Sequence, residues 1–420
     1  MNRNKVSAII HIDGDAFFAN CERACDPALE DKPVVVGKER GIATAPCYRA
    51  KAAGIERGTL ISKVKDICPS AVVKHGDYSK YKLISQRMYK VFRDMGDIVE
   101  EYSIDESFVG LAGVGNNGSY TQIAKQIQKK VKDKLDIPVS VGLAPNKTLA
   151  KVASDKNKPR GFCKITQSNV DQKLKGLPTD ELWGIGSRLA QRLDRIGVDT
   201  ALEFKNMSRD VVSSKFNKKV FRLYKELHCN QMIPLERGSV AKHKSKGSSK
   251  TFSPGTKDKT KVFSHLSKNV ETACKRLRKY NLVSDKISFF IKRNDYEGGY
   301  TKYKAQQNLN LHTAHPNYIL PRIRDKFNEI FKADKTYRAT GCYLHNLRQA
   351  TPQQLGLLES YLEKQDKSKV YDAVDKIEDK FGDGTVFLAS SLSVRASSSD
   401  QNKRKDKDKK LGIPSMGEVR

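Results

Sequence analysis

The 420-residue chain has no apolar run near the roughly 18 residues that a membrane-spanning helix needs, and Asp13 and Asp15 interrupt the one apolar stretch near its start. Neither membrane insertion nor secretion is expected. Its eight cysteines (Cys21, Cys25, Cys47, Cys68, Cys163, Cys229, Cys274 and Cys342) form no CxxC pair and stand beside no His cluster, which argues against zinc and disulfide frameworks. A reducing, cytoplasmic compartment follows. Acid is also in short supply: 48 Asp+Glu oppose 78 Lys+Arg, a net charge of +30 spread over the whole length. Such a surplus repels itself unless a polyanion compensates, so nucleic acid is the leading partner and the nucleoid the expected location. No internal repeat at solenoid periods is present.

At about 100 to 200 residues per domain, the length suggests two to four domains, each large enough for a core. Lys5 to Ile12 reads as a buried strand running into Asp13-Gly14-Asp15, with Asp15 the expected N-cap of a helix through Ala24. A second strand, Pro33 to Gly37, leads into a segment of small residues from Ala43 to Gly58. Helices are expected at Asp77 to Met95, Tyr120 to Leu135 and from Asn146, around a strand-turn segment at Val99 to Leu111 and a strand at Val139 to Gly142. Alternation of this kind points to an α/β or α+β core.

Val170 to Leu235 reads as all helical, broken by Leu182-Trp183-Gly184-Ile185-Gly186. Ala241 to Lys261 holds seven lysines and one aspartate among Ser, Gly and Pro, the composition of a linker or a strand edge exposed to phosphate. Helix, strand, strand, helix, strand then follow between Val262 and Leu347. A last amphipathic helix at Val370 to Phe381 places Val370, Val374, Ile377 and Phe381 on one face, and the polar tail from Ser397 is expected to be disordered.

Asp13, Asp105 and Glu106 each lie at the end of an apolar strand, where an acid is costly unless it binds something. Clustered carboxylates suit hard divalent cations, which share their oxygen ligands with substrate phosphates, and on a basic protein they suggest phosphoryl or nucleotidyl transfer. Successive strand residues face opposite ways, so Asp105 and Glu106 reach one centre only at a turn or bulge. On their own, these acids read equally well as capping or turn residues.

Five segments occur in order: Asp13-Gly14-Asp15-Ala16-Phe17-Phe18-Ala19; Tyr48 with Lys51; Tyr102-Ser103-Ile104-Asp105-Glu106-Ser107-Phe108; Val141-Gly142-Leu143-Ala144-Pro145-Asn146-Lys147 through Lys151; and Lys158-Pro159-Arg160-Gly161. Together they resemble the Y-family translesion DNA polymerases of the bacterial DinB/UmuC type, from about residue 6 to 385 and most densely over the first 165. The resemblance implies an α+β multidomain, right-hand polymerase. Its palm, a ferredoxin-like mixed sheet, would comprise residues 1–18 and 77–165, and its small fingers 19–76. A helical thumb with a helix-hairpin-helix at 166–235, a basic linker at 236–261 and an α+β little finger at 262–348 would follow, with a C-terminal extension at 349–420.

The same resemblance assigns Asp13, Asp105 and Glu106 to two Mg²⁺ ions, for which Mn²⁺ can substitute, and Tyr48, Lys51 and Lys158 to the triphosphate of the incoming dNTP. Backbone N–H groups from Gly14 through Phe17 to Phe18 would meet that triphosphate. Phe18 would be the gate that excludes a ribose 2′-hydroxyl, with Phe17 filling the core. Lys51 stands where Arg is usual, a point charge in place of a fork, and Thr44 does not align with the family's Thr ahead of the Tyr.

Gly184 and Gly186 resemble a helix-hairpin-helix turn that grips DNA backbone. Lys242, Lys244, Lys246, Lys250, Lys292, Arg293, Lys302 and Lys304 match the little finger's duplex-facing charge, while Tyr300 and Tyr303 read equally as stacking or packing residues. Gln354-Leu355-Gly356-Leu357-Leu358 resembles a sliding-clamp docking peptide, and Thr351-Pro352 equally suits the start of a helix. The implied activity is low-fidelity, template-directed synthesis on primer-template DNA by a monomer, without a proofreading exonuclease. The rivals are a non-catalytic DNA-binding accessory protein and a metal-dependent nuclease or nucleotidyl cyclase.

Overall fold

The computed structural model of the chain describes residues 6–113, 119–236, 245–294, 299–350 and 368–395. Two compact units divide between Ser239 and Val240. Among the described residues all eight cysteines are free thiols, and no helix is long and apolar enough to cross a membrane.

The first unit begins with β1 (Val6–Gly14), α1 (Phe17–Cys25), β2 (Val34–Val36), β3 (Ala45–Pro46), α2 (Tyr48–Ala52), α3 (Ile61–Ile67) and β4 (Val72–Lys74). There follow α4 (Tyr78–Arg93), β5 (Ile98–Glu101), β6 (Glu106–Ala112), α5 (Tyr120–Leu135), β7 (Val139–Ala144), α6 (Lys147–Lys156) and β8 (Phe162–Lys164). Helices α7 (Val170–Leu174), α8 (Ser187–Asp194), α9 (Ala201–Asn206), α10 (Arg209–Lys215) and α11 (Lys218–Leu227) complete it.

Its main sheet is mixed, in the order β5-β6-β1-β7-β8, with β1 central and antiparallel to both neighbours. A central strand is covered on both faces, and β1 is buried from Ala8 to Gly14. Ala8, Ile10 and Ile12 pack with α1, α4 and α5, whereas Ile9, His11 and Asp13 point toward α6. Each fully buried Ile or Phe contributes about 1.5 to 3 kcal/mol by leaving water. Helix α6 lies almost on the backbone of β7: a Cβ at Gly142 would fall 2.0 Å from the Ala150 carbonyl oxygen and 2.4 Å from the Ser154 nitrogen.

The segment of small residues folds as a separate three-stranded sheet, β3-β2-β4, over a small core that includes Val35, Ala43, Ala50, Ile55 and Val64. Helices α7 to α11 share a core with α6. Glu226 of α11, wholly buried, locks this junction by accepting from the backbone N–H groups of Thr148, Met232 and Ile233 at 2.8–3.1 Å.

The second unit runs β9 (Ser245–Thr256), α12 (Lys259–Arg278), β10 (Leu282–Asn294), β11 (Tyr300–Thr313), α13 (Pro316–Ile330) and β12 (Tyr337–His345). The short β13 (Arg348–Gln349), α14 (Ser368–Phe381) and α15 (Leu392–Arg395) end it. Helices and strands from Lys259 onward follow the expected order. Of the two readings of the lysine-rich stretch, a linker or a strand edge, the structure takes the second: most of it is β9, an edge strand on β12 in the sheet β11-β10-β12-β9. Its Ser, Gly and Thr alternate too weakly to declare a strand.

Helix α14 forms where the sequence places it, but its apolar stripe is not what it packs with. It packs through Tyr371, Asp375 and Glu378, which meet Asn317, Arg278 and Lys275, and it leaves Val370, Ile377 and Phe381 exposed. Ion pairing to the basic end of α12 overrides the apolar stripe.

Candidate active site and nucleic-acid interface

The antiparallel pairing of β1 with β6 sets Asp13 directly opposite Glu106. The turn before β6 is closed by the N–H groups of Tyr102 and Ser103, both donating to the Glu106 carbonyl, and Gly14 N–H donates to the Asp105 carbonyl at 2.9 Å. The backbone of Asp105 thus lies beside Asp13, but its carboxylate accepts from Ser103 Oγ at 2.7 Å. The structure brings Asp13 and Glu106 together and leaves the Asp105 carboxylate on the turn. Among the described residues no three His, Cys, Asp or Glu groups converge as a ready-made metal cage.

Cations already sit on the paired acids. Lys158 Nζ donates to Asp13 at 2.7 Å and pairs with Asp155 at 2.6 Å, while Lys151 Nζ donates to Glu106 at 2.9 Å. Burial pushes Glu106 above the usual carboxylate range, with Lys151 opposing and the Asp13 charge adding to the rise. Burial opposes the charge on both lysines, but their acidic neighbours outweigh it and hold both ammonium groups above the ordinary lysine value. An oxygen-only donor set that attracts two ammonium groups has the chemistry a hard divalent cation requires.

The nucleotide-side residues divide. Phe17 is buried in the core, and Phe18 is half-buried, stacked on Tyr81 at 4.7 Å and edge-on to Tyr78 at 5.6 Å. Tyr48 begins α2, with Lys51 Nζ 4.6 Å from its ring centre; burial and the Asp15 charge push its phenol up to about 12. The hydroxyl of Thr44 is spent on the Val36 carbonyl.

Two expectations are corrected. Gly14 has no amide to offer a phosphate, because its N–H is the one bonded to Asp105, and that of Asp15 goes to Pro138. Asp15 is not the cap of α1. Ala16 holds that position in a left-handed conformation (φ 42°), and no side chain caps the helix. Asp15, 1% exposed, instead accepts from Ser140 Oγ and Arg160 N–H at 2.8 Å each, clamping β7 to the segment that carries Lys158. Nothing in the local sequence signals this, since both partners lie more than a hundred residues away.

On the nucleic-acid side, Gly184 (φ 102°) and Gly186 lie exposed at the turn before α8, where an added Cβ meets nothing within 4 Å. In the second unit Lys292, Lys302 and Lys304 share the sheet face opposite the helices. Lys302 Nζ lies 3.7 Å from the Phe290 ring centre, and Lys292 Nζ 3.6 Å from that of Tyr300. Tyr303 faces the core, beside Tyr337. Lys246 and Lys250 do not join this group. They pair across from buried Leu344 and Thr340 and so point to the helix side. Lys242, Lys244 and the peptide Gln354, Leu355, Leu357 and Leu358 lie outside the described residues.

Comparison with known proteins agrees with this geometry. The impB/mucB/samB family matches residues 12–155, and the C-terminal domain of that family matches residues 243–357. The DNA polymerase IV of Desulfatibacillum aliphaticivorans is 28% identical over 384 residues, 90% of this chain and 95% of that protein. The DNA polymerase IV of Bacillus anthracis is 30% identical over 299 residues, 70% of this chain and 73% of its own. A Y-family DNA polymerase chimera of Dbh and Dpo4 superposes with a TM-score of 0.68 at 26% identity, covering 82% of this chain and 100% of its own. A Dbh ternary complex with partially disordered substrates gives a TM-score of 0.54 at 26% identity, with the same coverage.

Proposed function

The chain belongs to the impB/mucB/samB family of DinB-type Y-family polymerases, and on that footing we propose how its residues carry out template-directed DNA synthesis. It is a translesion DNA polymerase whose catalysis depends on divalent metal and whose substrates are primer-template DNA and a nucleoside triphosphate. The observation that carries the residue assignments is the Asp13–Glu106 pair, two strand-end carboxylates held face to face and crowded by Lys151 and Lys158.

In this reading Asp13, Asp105 and Glu106 hold the metal, a pair of Mg²⁺ ions for which Mn²⁺ substitutes. When bound, the ions supply Lewis acidity to the attacking and leaving oxygens of an in-line displacement. Asp105 joins the other two acids by giving up Ser103. Lys158 exchanges Asp13 for a substrate phosphate, and Lys51 and the Tyr48 hydroxyl bind the same triphosphate. Phe18, backed by Tyr81, closes under the sugar. The shallow core of small residues behind β2 and β3 leaves the templating base loosely covered, which favours damage tolerance over fidelity.

The two units divide the labour. Residues 1–18 and 77–165 act as palm, 19–76 as fingers and 166–235 as a thumb gripping DNA backbone at Gly184 and Gly186, while the open sheet face of the second unit lies on the duplex as the little finger. The peptide from Gln354 to Leu358 docks the monomer on a sliding clamp in the cytoplasm. Incubation with Mg²⁺, primed template and one dNTP at a time tests the activity. Template-matched extension is the expected outcome; degradation would indicate a nuclease, and no change an accessory protein.

A further inference from the structure

Tyr102 leads the turn that carries Asp105 and Glu106, and its side chain leaves that turn to meet Trp183, the residue before Gly184. Trp183 Nε1–H donates to Tyr102 Oη at 3.0 Å, and the two rings stand edge-on at 90° with centres 5.6 Å apart. Both rings rest on Phe108, which is wholly buried, at 5.6 Å each. The platform is anchored from beneath. Lys147 Nζ lies 4.8 Å from the Phe108 ring centre and 5.6 Å from that of Trp183, and it donates to both carboxylate oxygens of Glu100 at 2.7 and 2.8 Å.

The upper bond differs from this base. Tyr102 is 42% exposed, so water would satisfy both its hydroxyl and the indole N–H if they parted, and the bond contributes little to folding. What it does fix is direction. Among the described residues this is the polar link within the aromatic group, and it joins a side chain of the acid-bearing turn to the residue that opens the glycine turn. Two loops 81 residues apart in sequence therefore keep one register.

Resting on the polymerase reading above, we propose that Tyr102 and Trp183 are positioning residues. They register the Asp105–Glu106 turn against the Gly184–Gly186 turn, so that primer-template seated on the glycines sets the approach of the acids. Neither residue touches substrate. Both act through Asp105 and Glu106, whose backbone Tyr102 N–H helps to close.

Trp183 is the single tryptophan of the chain, so its emission reports on this junction without a label. The test uses the full-length protein, Tyr102→Phe, Trp183→Phe and the double variant. Each single change is expected to slow single-turnover dNTP insertion about 3- to 10-fold and to raise half-saturating Mg²⁺ by a similar factor. The double variant should be no slower than the worse single one, with the Kd for primer-template and the melting temperature held within the error of independent sites, about twofold in Kd. Adding MgCl₂ alone should shift Trp183 emission in the wild type and leave that of Tyr102→Phe unmoved.

Unchanged insertion in Tyr102→Phe, multiplying defects in the double variant, a loss confined to DNA affinity, or an identical Mg²⁺ response in both proteins would each overturn the proposal. Tyr102→Phe removes one oxygen and keeps the ring, so the test stands even if Trp183→Phe fails to fold. A wild type that does not extend primers would defeat the polymerase reading itself, and a wild type that extends no faster than Tyr102→Phe would defeat this proposal alone.

Discussion

At the end of the first unit's sheet, Lys147, Lys151 and Lys158 each lie 2.7–2.9 Å from a carboxylate, whereas on the open sheet face of the second unit Lys292 and Lys302 lie on aromatic rings with Lys304 alongside. Burial depresses the Lys302 ammonium, and the neighbouring charges of Lys304 and Lys292 depress it further. One residue type thus serves two purposes. Paired and buried or half-buried, lysine fixes the geometry of a few acids. Crowded against its own kind, it raises a field that a polyanion can relieve in many registers.

The contrast is most sharply tested at Asp13. Asp13→Asn should slow insertion by at least roughly 10²- to 10³-fold, the scale of losing one preorganised electrostatic element, while primer-template affinity barely changes. A mainly affinity-based loss, seen in filter binding against single-turnover rates, would erase the distinction between the two lysine groups. Comparable in size is Lys147→Met, which leaves the buried Glu100 carboxylate without its counter-charge and should cost about 3 to 5 kcal/mol in denaturant unfolding. The matching Lys302→Met change should stay within about 0.5 kcal/mol.

Replacing Lys292, Lys302 and Lys304 together by Ala should flatten the dependence of log K on log salt by up to about 2.7, at about 0.9 per phosphate contact on B-DNA, with insertion at saturating DNA unchanged. An unaltered slope would place the duplex elsewhere.

A pH-dependent effect concerns the cost of crowding. His265 is stacked on Phe252 at 3.9 Å, and burial, helped by Lys250 and Lys268, lowers it to about 4. Its folded value lies below its unfolded one, so this contribution is complete above pH 6.5 and is lost as the pH falls toward 4, when the unfolded chain takes up the proton first. Discounted for the half-exposed ring, the loss is about 1 to 2 kcal/mol. Stability curves against pH for wild type and His265→Phe should diverge across that window and run parallel above it.

Much of this was legible beforehand because it is written in local periodicity. The apolar, β-branched run of β1 and the helical spacing of α4, α5 and α6 announced the sheet that carries Asp13, and a turn between β5 and β6 was required for Asp105 and Glu106 to share one end. Contacts made across the chain stayed hidden. Asp15 looked like a cap, since an acid between a strand and a helix usually is one, but its partners Ser140 and Arg160 are remote. The helix-side placement of Lys246 and Lys250 depends on the register of β9 with β12, and a Ser/Gly strand does not reveal its register. Buried Glu226 and the Tyr102–Trp183 bond are likewise tertiary facts.

The bare hydrogen at Gly142 has a reach beyond its own strand. Because nothing larger fits beneath Ala150 and Ser154, the distance from which Lys151 extends to the paired acids is set by a missing methyl group. A mutational scan of this chain would score that position as if it bound substrate, and anyone transplanting the helix to another scaffold would have to carry the glycine along or lose the spacing.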